Sequence, residues 1–235
     1  MDDLINQHMK NFELMRFIKA NYPLRTRPWD EAYIEHNGYR RLREESFSKM
    51  GHPIGRSWQA MWATISTKLE PQGVTAQDVT NEMFPCFSGS VLLHSEKTQS
   101  LQYTRELYLH VSIVAPYFCI YGVDKVYLST VERSLKPVIF VSPMSIYERL
   151  FAKVASWIAS EMTGYVFLPF SVLEQRIPEL ELCNAPTHFF GTSVFQAFFT
   201  PEDIPDYENI GDSDYTPGVS DGGDCINPTI EWTQI

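Results

Sequence analysis

The sequence predicts an α+β fold in which helices pack on a largely antiparallel sheet. Apolar residues recur at helical spacing in much of residues 1–84, and short segments rich in β-branched and aromatic residues fill residues 87–142. A strongly amphipathic helix is predicted after those strands, at 145–163. Helices followed by a run of strands are typical of α+β architectures.

The chain is long enough to form one domain with a full core. It has 235 residues, of which 44% are hydrophobic and 20% are charged, a composition typical of globular proteins. We expect a single domain at residues 1–200, with a helical part at 1–84 and a sheet with its packed helix at 85–200. Residues 201–235 are expected to form an acidic, loop-rich C-terminal segment.

Three longer helices are predicted in the N-terminal third. The first follows apolar residues spaced through 4–18 and is ended by the two prolines of 21–28. The second opens at Trp29–Asp30 and is weakened near Asn37–Gly38, and the third begins near Ser57. We expect these helices to pack against the sheet.

Two local patterns follow within this region. Trp58 and Trp62 share one helical face, and such an aromatic stripe is more often core than a platform for a ligand, so we interpret it as core. The sequence TAQD at 75–78 has a capping-box arrangement, which predicts a short helix to about Met83.

The sequence YLHVSIVAPYFCIYG at 108–122 predicts a β-hairpin in the most apolar part of the chain. A two-residue turn at 115–116 would pair His110 with Tyr121 and place the purely apolar residues of both strands on one side. That register puts His110 and Cys119 on a diagonal, about 7–8 Å apart. A Cys–His nucleophile pair needs hydrogen-bond reach of about 2.6–3.2 Å, so we interpret both residues as core.

The helix at 145–163 has the clearest boundaries. Ser145 and Glu148 form a capping box, and Gly164 stands where a C-terminal cap is needed. Its apolar stripe comprises Tyr147, Leu150, Phe151, Val154 and Ile158. Two further strands are predicted after it, at YVFLPF and TSVFQAFFT.

No motif identifies a metal, phosphate or covalent site, and no cofactor is predicted. The four cysteines are scattered and form no CxxC pair. The sequence GHPIG at 51–55 lacks the Lys-Ser/Thr of a phosphate loop. The sequence at 212–224 begins like a calcium loop, but has Pro217 where that loop needs glycine and Gly223 where it needs a glutamate.

The charge is distributed unevenly along the chain. The formal net charge is −10, and all 19 basic residues lie within residues 1–176. The excess of acid therefore belongs to residues 177–235. There it is interleaved with tyrosines, which is typical of an interface with a basic partner.

Three interpretations of this acidic segment are open: a solvated tail, a tail folded back on arginines such as Arg25, and a recognition surface. If the segment is a recognition surface, we expect the partner-binding residues to be Asp206, Tyr207, Glu208, Asp212, Asp214, Tyr215, Asp221 and Asp224.

The leading hypothesis from the sequence is a non-catalytic protein that binds and neutralises a basic protein partner. A bacterial immunity or toxin-inhibitor protein is the kind we expect. The acidic balance argues against nucleic-acid binding, and no apolar run reaches the length of a membrane span. The N-terminus does not resemble a secretory signal, so a cytoplasmic location is expected.

Two rival hypotheses come from other functional classes. One is a hydrolase-like enzyme whose site is assembled from dispersed acids and histidines, for which His52, His94, His110 and His188 are the first candidates. The other is a structural subunit of a larger assembly.

Overall fold

The computed structural model describes residues 13–70, 73–177, 179–183, 191–200 and 207–217. Helices and a mostly antiparallel sheet make up this part of the chain, so the predicted α+β class is confirmed. The helices are α1 (13–21), α2 (Glu31–Ile34), α3 (Asn37–Ser48), α4 (Pro53–Leu69), α5 (Glu148–Glu161), α6 (Phe170–Leu173) and α7 (Val194–Phe198).

The main sheet has the strand order β1-β2-β3-β4-β6-β10, and β5 and β7 also pair with β4. Its strands are β1 (Thr75–Asp78), β2 (Cys86–Lys97), β3 (Leu101–Ser112), β4 (Tyr117–Leu128), β5 (Arg133–Ser134), β6 (Val138–Phe140), β7 (Val166–Phe167) and β10 (Glu208–Ile210). The pairs β6–β10 and β4–β7 are parallel, and the others are antiparallel. Strands β8 (Arg176–Ile177) and β9 (Thr192–Ser193) form a separate pair.

Helices α4 and α5 cover one face of the sheet. Trp58 stacks on Trp62 with ring centroids 5.4 Å apart and on Phe87 of β2 at 5.5 Å. Trp58 is fully buried and Trp62 nearly so, which confirms that the tryptophan stripe is core. Gly89 of β2 lies directly under Trp62, where an added methyl group would overlap the indole ring.

The opposite face is covered by α1, α3 and the segments 166–177, 179–183 and 191–200. Ile18 of α1 and Phe198 of α7 are completely buried in this second core. Tyr22 ties the two elements together, since its hydroxyl donates a hydrogen bond to the carbonyl of Ala197 at 2.6 Å. On the same face, residues of β3, β4 and β6 line a groove, and Phe195 and Thr200 also contribute to its lining.

The hairpin of β3 and β4 is present, but its register differs from the predicted one. His110 lies opposite Cys119, and Tyr108 lies opposite Tyr121. Four residues, 113–116, connect the strands instead of a two-residue turn. The shift is two residues along the strand, and because side chains alternate with a period of two, every residue keeps its predicted face.

Two local predictions are wrong. Residues 75–78 are strand β1, not a helix, because their backbone pairs with β2 and Asp78 accepts a hydrogen bond from the Trp58 indole at 2.9 Å. The segment TSVFQAFFT is mainly helix α7, not a strand. There Ser193 and Gln196 form a reciprocal capping box that starts the helix.

The helix predicted at 145–163 is present as α5, and its apolar stripe is buried as expected. Its start is different, since a 3₁₀ turn at Ser145–Tyr147 precedes Glu148. Ser145 has a φ of 53° and its side chain caps nothing, so the predicted Ser145 cap is wrong. Gly164 has a φ of 84°, the conformation expected of a C-terminal cap.

None of the helices in the described ranges is long and apolar enough to cross a bilayer.

Candidate functional site

The structure places five of the eight predicted partner-binding residues. Tyr207, Glu208, Asp212, Asp214 and Tyr215 belong to the described segment 207–217. The other three, which are Asp206, Asp221 and Asp224, lie outside the described residues.

The two tyrosines of this segment point toward the domain and anchor it. Tyr207 packs edge-on against Phe170 at 5.9 Å, and its hydroxyl donates to the Glu174 carboxylate at 2.5 Å. Tyr215 packs edge-on against Phe151 of α5 at 5.6 Å and against Phe167 at 6.1 Å. Each ring is partly buried against a different core cluster, so the segment is fixed at both ends.

Between the two tyrosines, backbone hydrogen bonds join the segment to β6. The N–H of Glu208 donates to the carbonyl of Pro137 at 3.1 Å, and the N–H of Val141 donates to the carbonyl of Ile210 at 3.1 Å. Ser142 Oγ accepts from the N–H of Asp212 at 3.0 Å. Residues 208–210, which were expected in a loop, therefore form the edge strand of the main sheet.

Three carboxylates are displayed along this edge. Glu208, Asp212 and Asp214 are all exposed, and Asp212 Oδ1 accepts a hydrogen bond from the N–H of Asp214 at 2.9 Å. Within the described ranges, no ion pair involves these three residues. We refer to Glu208, Asp212 and Asp214 as the acidic edge.

One acid of the C-terminal quarter does fold back on an arginine. Glu179 forms an exposed ion pair with Arg25, and the two backbones also bond, since Arg25 N–H donates to the Glu179 carbonyl at 2.7 Å. The hydrogen bond and the charge of Arg25 lower the pKa of Glu179. The fold-back interpretation therefore applies to Glu179, which lies outside the acidic edge.

A groove of about 970 Å³ lies on the sheet face next to β6. Its walls are formed largely by apolar residues of β4, the 135–137 connection, β6 and α7, including Val123, Leu135, Pro137, Ile139 and Phe195. Its floor carries the polar side chains of β3 and β4. Pro137 belongs to both features, because it lines the groove and accepts the backbone bond from Glu208.

A charged cluster crosses the groove floor. Lys125 Nζ donates to Tyr108 Oη at 2.6 Å and to Glu106 Oε2 at 3.1 Å, and it lies 4.8 Å from the centroid of the Tyr108 ring. Tyr108 also donates to Glu106. Burial disfavours the charged amine, but its contacts with Tyr108 and Glu106 outweigh burial and raise the pKa of Lys125. The alternation of polar residues along β3 was the signal that could have located this cluster.

His110 lies behind the groove and does not line it. Its Nε2 is 3.0 Å from Tyr121 Oη, its Nδ1 is 2.8 Å from Ser88 Oγ, and the ring is enclosed by Phe195. Burial lowers the pKa of His110 to about 3. The ring is therefore neutral at ordinary pH and a weak base. Ser88 and His110 touch as a nucleophile and base would, but both are buried. Among the described residues, the ring nitrogens face two hydroxyl groups and not the carboxylate that would orient a base.

The three candidate histidines that the structure describes, His52, His94 and His110, are not brought together. His52 and His94 are exposed on separate elements, and His188 lies outside the described residues. The thiols of Cys86 and Cys119 are buried, and burial raises the pKa of both. In the part of the chain that the structure describes, no group of three or more His, Cys, Asp or Glu residues could hold a metal ion.

Comparisons with protein-family models, with curated proteins and with solved structures gave no match.

Proposed function

We propose that this chain is a non-catalytic binding protein whose acidic edge engages a basic protein partner. One observation carries the proposal: three exposed carboxylates, at Glu208, Asp212 and Asp214, stand on a segment that is paired with β6 and anchored by Tyr207 and Tyr215. A preorganised charged surface loses less conformational entropy on binding than a flexible tail does.

The charge layout supports the same proposal. The excess of negative charge lies entirely in residues 177–235, and the three carboxylates of the acidic edge contribute to the resulting negative field. Such a field accelerates encounter with a cationic partner and repels anionic competitors. The partner class we propose is a compact basic protein whose cationic surface would be covered in the complex, as an immunity-type inhibitor covers a toxin.

The experiment is a charge reversal with a matched control. The edge variant carries Glu208→Lys, Asp212→Lys and Asp214→Lys. The control variant carries the same change in net charge on exposed acids elsewhere, at Glu44, Glu70 and Glu161. Both should fold like the wild type, because exposed charges contribute little to stability.

The readout is capture of basic proteins from the native host by wild-type, edge and control proteins at low and moderate salt. We expect the edge variant to lose a basic partner that the control retains, and the wild-type interaction to weaken as salt rises. Equal capture by the edge and control variants would show that the acidic edge is not the binding surface.

The groove favours a second candidate function, the binding of a small organic ligand. Its volume of about 970 Å³ lies within the range of ligand pockets, about 300–1,000 Å³, and apolar walls with a few polar groups are typical of such pockets. A thermal-shift screen of metabolites tests this candidate. A stabilising ligand whose effect is abolished by Thr104→Trp, which fills the groove, would support it, and a ligand unaffected by Thr104→Trp would place its site elsewhere.

A further inference from the structure

A small cavity of about 70 Å³ lies between helices α2 and α3 and the segment at 180–183. Three tyrosines, Tyr22, Tyr33 and Tyr39, line it together with Cys183. Tyr33 and Tyr39 pack edge-on, with ring centroids 4.7 Å apart. The cavity shares no residue with the acidic edge or with the groove.

The three tyrosine hydroxyls are used differently. Tyr22 donates to the carbonyl of Ala197 at 2.6 Å, and Tyr39 donates to Cys183 Sγ at 3.4 Å. The hydroxyl of Tyr33 is completely buried near Cys183, and no described residue offers it a hydrogen bond of good geometry. Buried polar groups are nearly always paired in folded proteins, so an unpaired one indicates a missing partner.

Cys183 differs from the other described cysteines. Cys86 and Cys119 are fully buried in the core, whereas Cys183 is half-buried and lines the cavity. Arg43 lines the same cavity. Susceptibility of a cysteine to oxidation follows its exposure, and Cys183 is the accessible one of the three described cysteines.

We propose that Cys183 is a site of reversible oxidation by hydroperoxides to a sulfenic acid, and that the Tyr33 hydroxyl is the hydrogen-bond donor to the oxygen added to the sulfur. The cavity has room for one added oxygen, because its 70 Å³ exceeds the roughly 30 Å³ that a water molecule occupies in the liquid. Burial raises the pKa of Tyr33, and the Cys183 thiol raises it further. The hydroxyl is therefore protonated at neutral pH and able to donate.

The chemistry balances with a hydroperoxide as the oxidant. The sulfur of Cys183 attacks one peroxide oxygen, an S–O bond forms and the O–O bond breaks. The departing hydroxide or alkoxide takes the thiol proton and leaves as water or an alcohol. Sulfur is oxidised by two electrons, and the peroxide is reduced by two. A thiol reductant restores the cysteine.

The test uses the full chain treated with hydrogen peroxide, followed by a sulfenic-acid trap and peptide mass spectrometry. Cys86 and Cys119 serve as internal controls in the same molecule. We expect trapping at Cys183 to exceed trapping at both. Equal or lower trapping at Cys183 would overturn the proposal, and so would trapping that is no faster in the native protein than in the unfolded chain.

The role of Tyr33 is tested by removing one hydroxyl at a time. After the peroxide is destroyed, the trap is added at increasing delays to measure how long the sulfenic acid survives. Tyr33→Phe should shorten its lifetime about fivefold, the value of one net hydrogen bond. Tyr22→Phe is the matched control, since its hydroxyl is already used by Ala197.

Equal lifetimes in Tyr33→Phe and Tyr22→Phe would show that Tyr33 does not hold the added oxygen and would overturn its assigned role. Thermal unfolding of both variants checks that each is folded. If Tyr33→Phe does not fold, the proposed hydrogen bond is tested by amide hydrogen exchange of the wild-type protein before and after oxidation. Oxidation should then increase protection in α2 and α3, and unchanged protection would contradict the proposed bond.

Discussion

His110 and Cys119 lie directly opposite each other on β3 and β4, yet both ring nitrogens of His110 face hydroxyl groups, those of Ser88 and Tyr121. The imidazole thus links β2 to β4 across β3 within a buried layer. Its role in this arrangement is to satisfy two hydroxyls as a neutral ring, and the nearby thiol packs as a small apolar group.

The first prediction concerns the pH dependence of stability. The pKa of His110 is about 3 in the folded protein and 6.5 in an unfolded chain. Below 6.5 the unfolded state binds a proton that the folded state does not, so stability falls as pH falls from 6.5 toward 3, by about 1.4 kcal/mol per pH unit. Urea unfolding at about pH 7 and about pH 5 should show a loss of roughly 2 kcal/mol from this group.

His110→Gln provides the comparison for that measurement. It should be less stable than the wild type at neutral pH but should lack this part of the pH slope. His94→Gln, at an exposed position, should keep the wild-type slope. If His110→Gln and the wild type lose the same free energy over this interval, His110 is not the neutral buried group described here.

The second prediction concerns the contact between β2 and α4. Gly89→Ala should destabilise the protein by about 1–3 kcal/mol, because the added methyl group overlaps the ring of Trp62. Gly51→Ala is the control, since no atom lies within 4 Å of its added carbon. Thermal unfolding compares the two variants, and a Gly89→Ala protein as stable as Gly51→Ala would mean that Trp62 does not pack there.

The third prediction separates packing from capping in α5. Leu150→Ala should cost about 2–5 kcal/mol, because the side chain is buried between α5 and the sheet. Ser145→Ala should change stability by less than about 0.5 kcal/mol, since Ser145 caps nothing. Ser145→Gly should stabilise the protein, because its φ of 53° suits glycine. A large loss in Ser145→Ala would restore Ser145 as the helix cap.

The fourth prediction concerns the buried amine of Lys49. Its Nζ donates to the carbonyls of Asn81 and Phe84, and the residue is only 1% exposed. Lys49→Met keeps most of the volume but leaves both carbonyls unpaired, which should cost about 1–3 kcal/mol. Lys97→Met, at an exposed position, should be nearly neutral. Urea unfolding of both variants makes the comparison, and equal stabilities would mean that the 81–84 turn does not depend on Lys49.

Periodicity predicted the parts of the fold in which burial on one side decides the structure. The Trp58–Trp62 stripe of α4 and the faces of β3 and β4 were predicted correctly, because each element has one buried side. The register of the hairpin was predicted incorrectly. A two-residue shift leaves every side chain on the same face, so the alternation of apolar residues cannot distinguish the two registers. Local capping signals failed at 75–78, where pairing with β2 overrides them.

The candidate site was harder to predict because it depends on tertiary placement. The position of the acidic residues in the sequence was evident, but the parallel pairing of β10 with β6 joins residues about seventy positions apart and leaves no local pattern. Tyr207 and Tyr215 were interpreted as contact residues, and both turn inward. The groove lies beside Phe195 of α7 and Thr200, on the part of the sheet face formed by β3, β4 and β6, and no periodicity encodes this arrangement.

The position of β10 also has a consequence for solubility. Its three residues, Glu208–Ile210, satisfy the outer backbone groups of Val138–Phe140, the apolar strand that would otherwise end the sheet. A chain that lost residues 207–217 would present an unpaired β6 to its neighbours, and an open apolar strand is a template for aggregation and strand exchange. The charged segment thus protects the sheet from self-association through its backbone, independently of what its carboxylates bind.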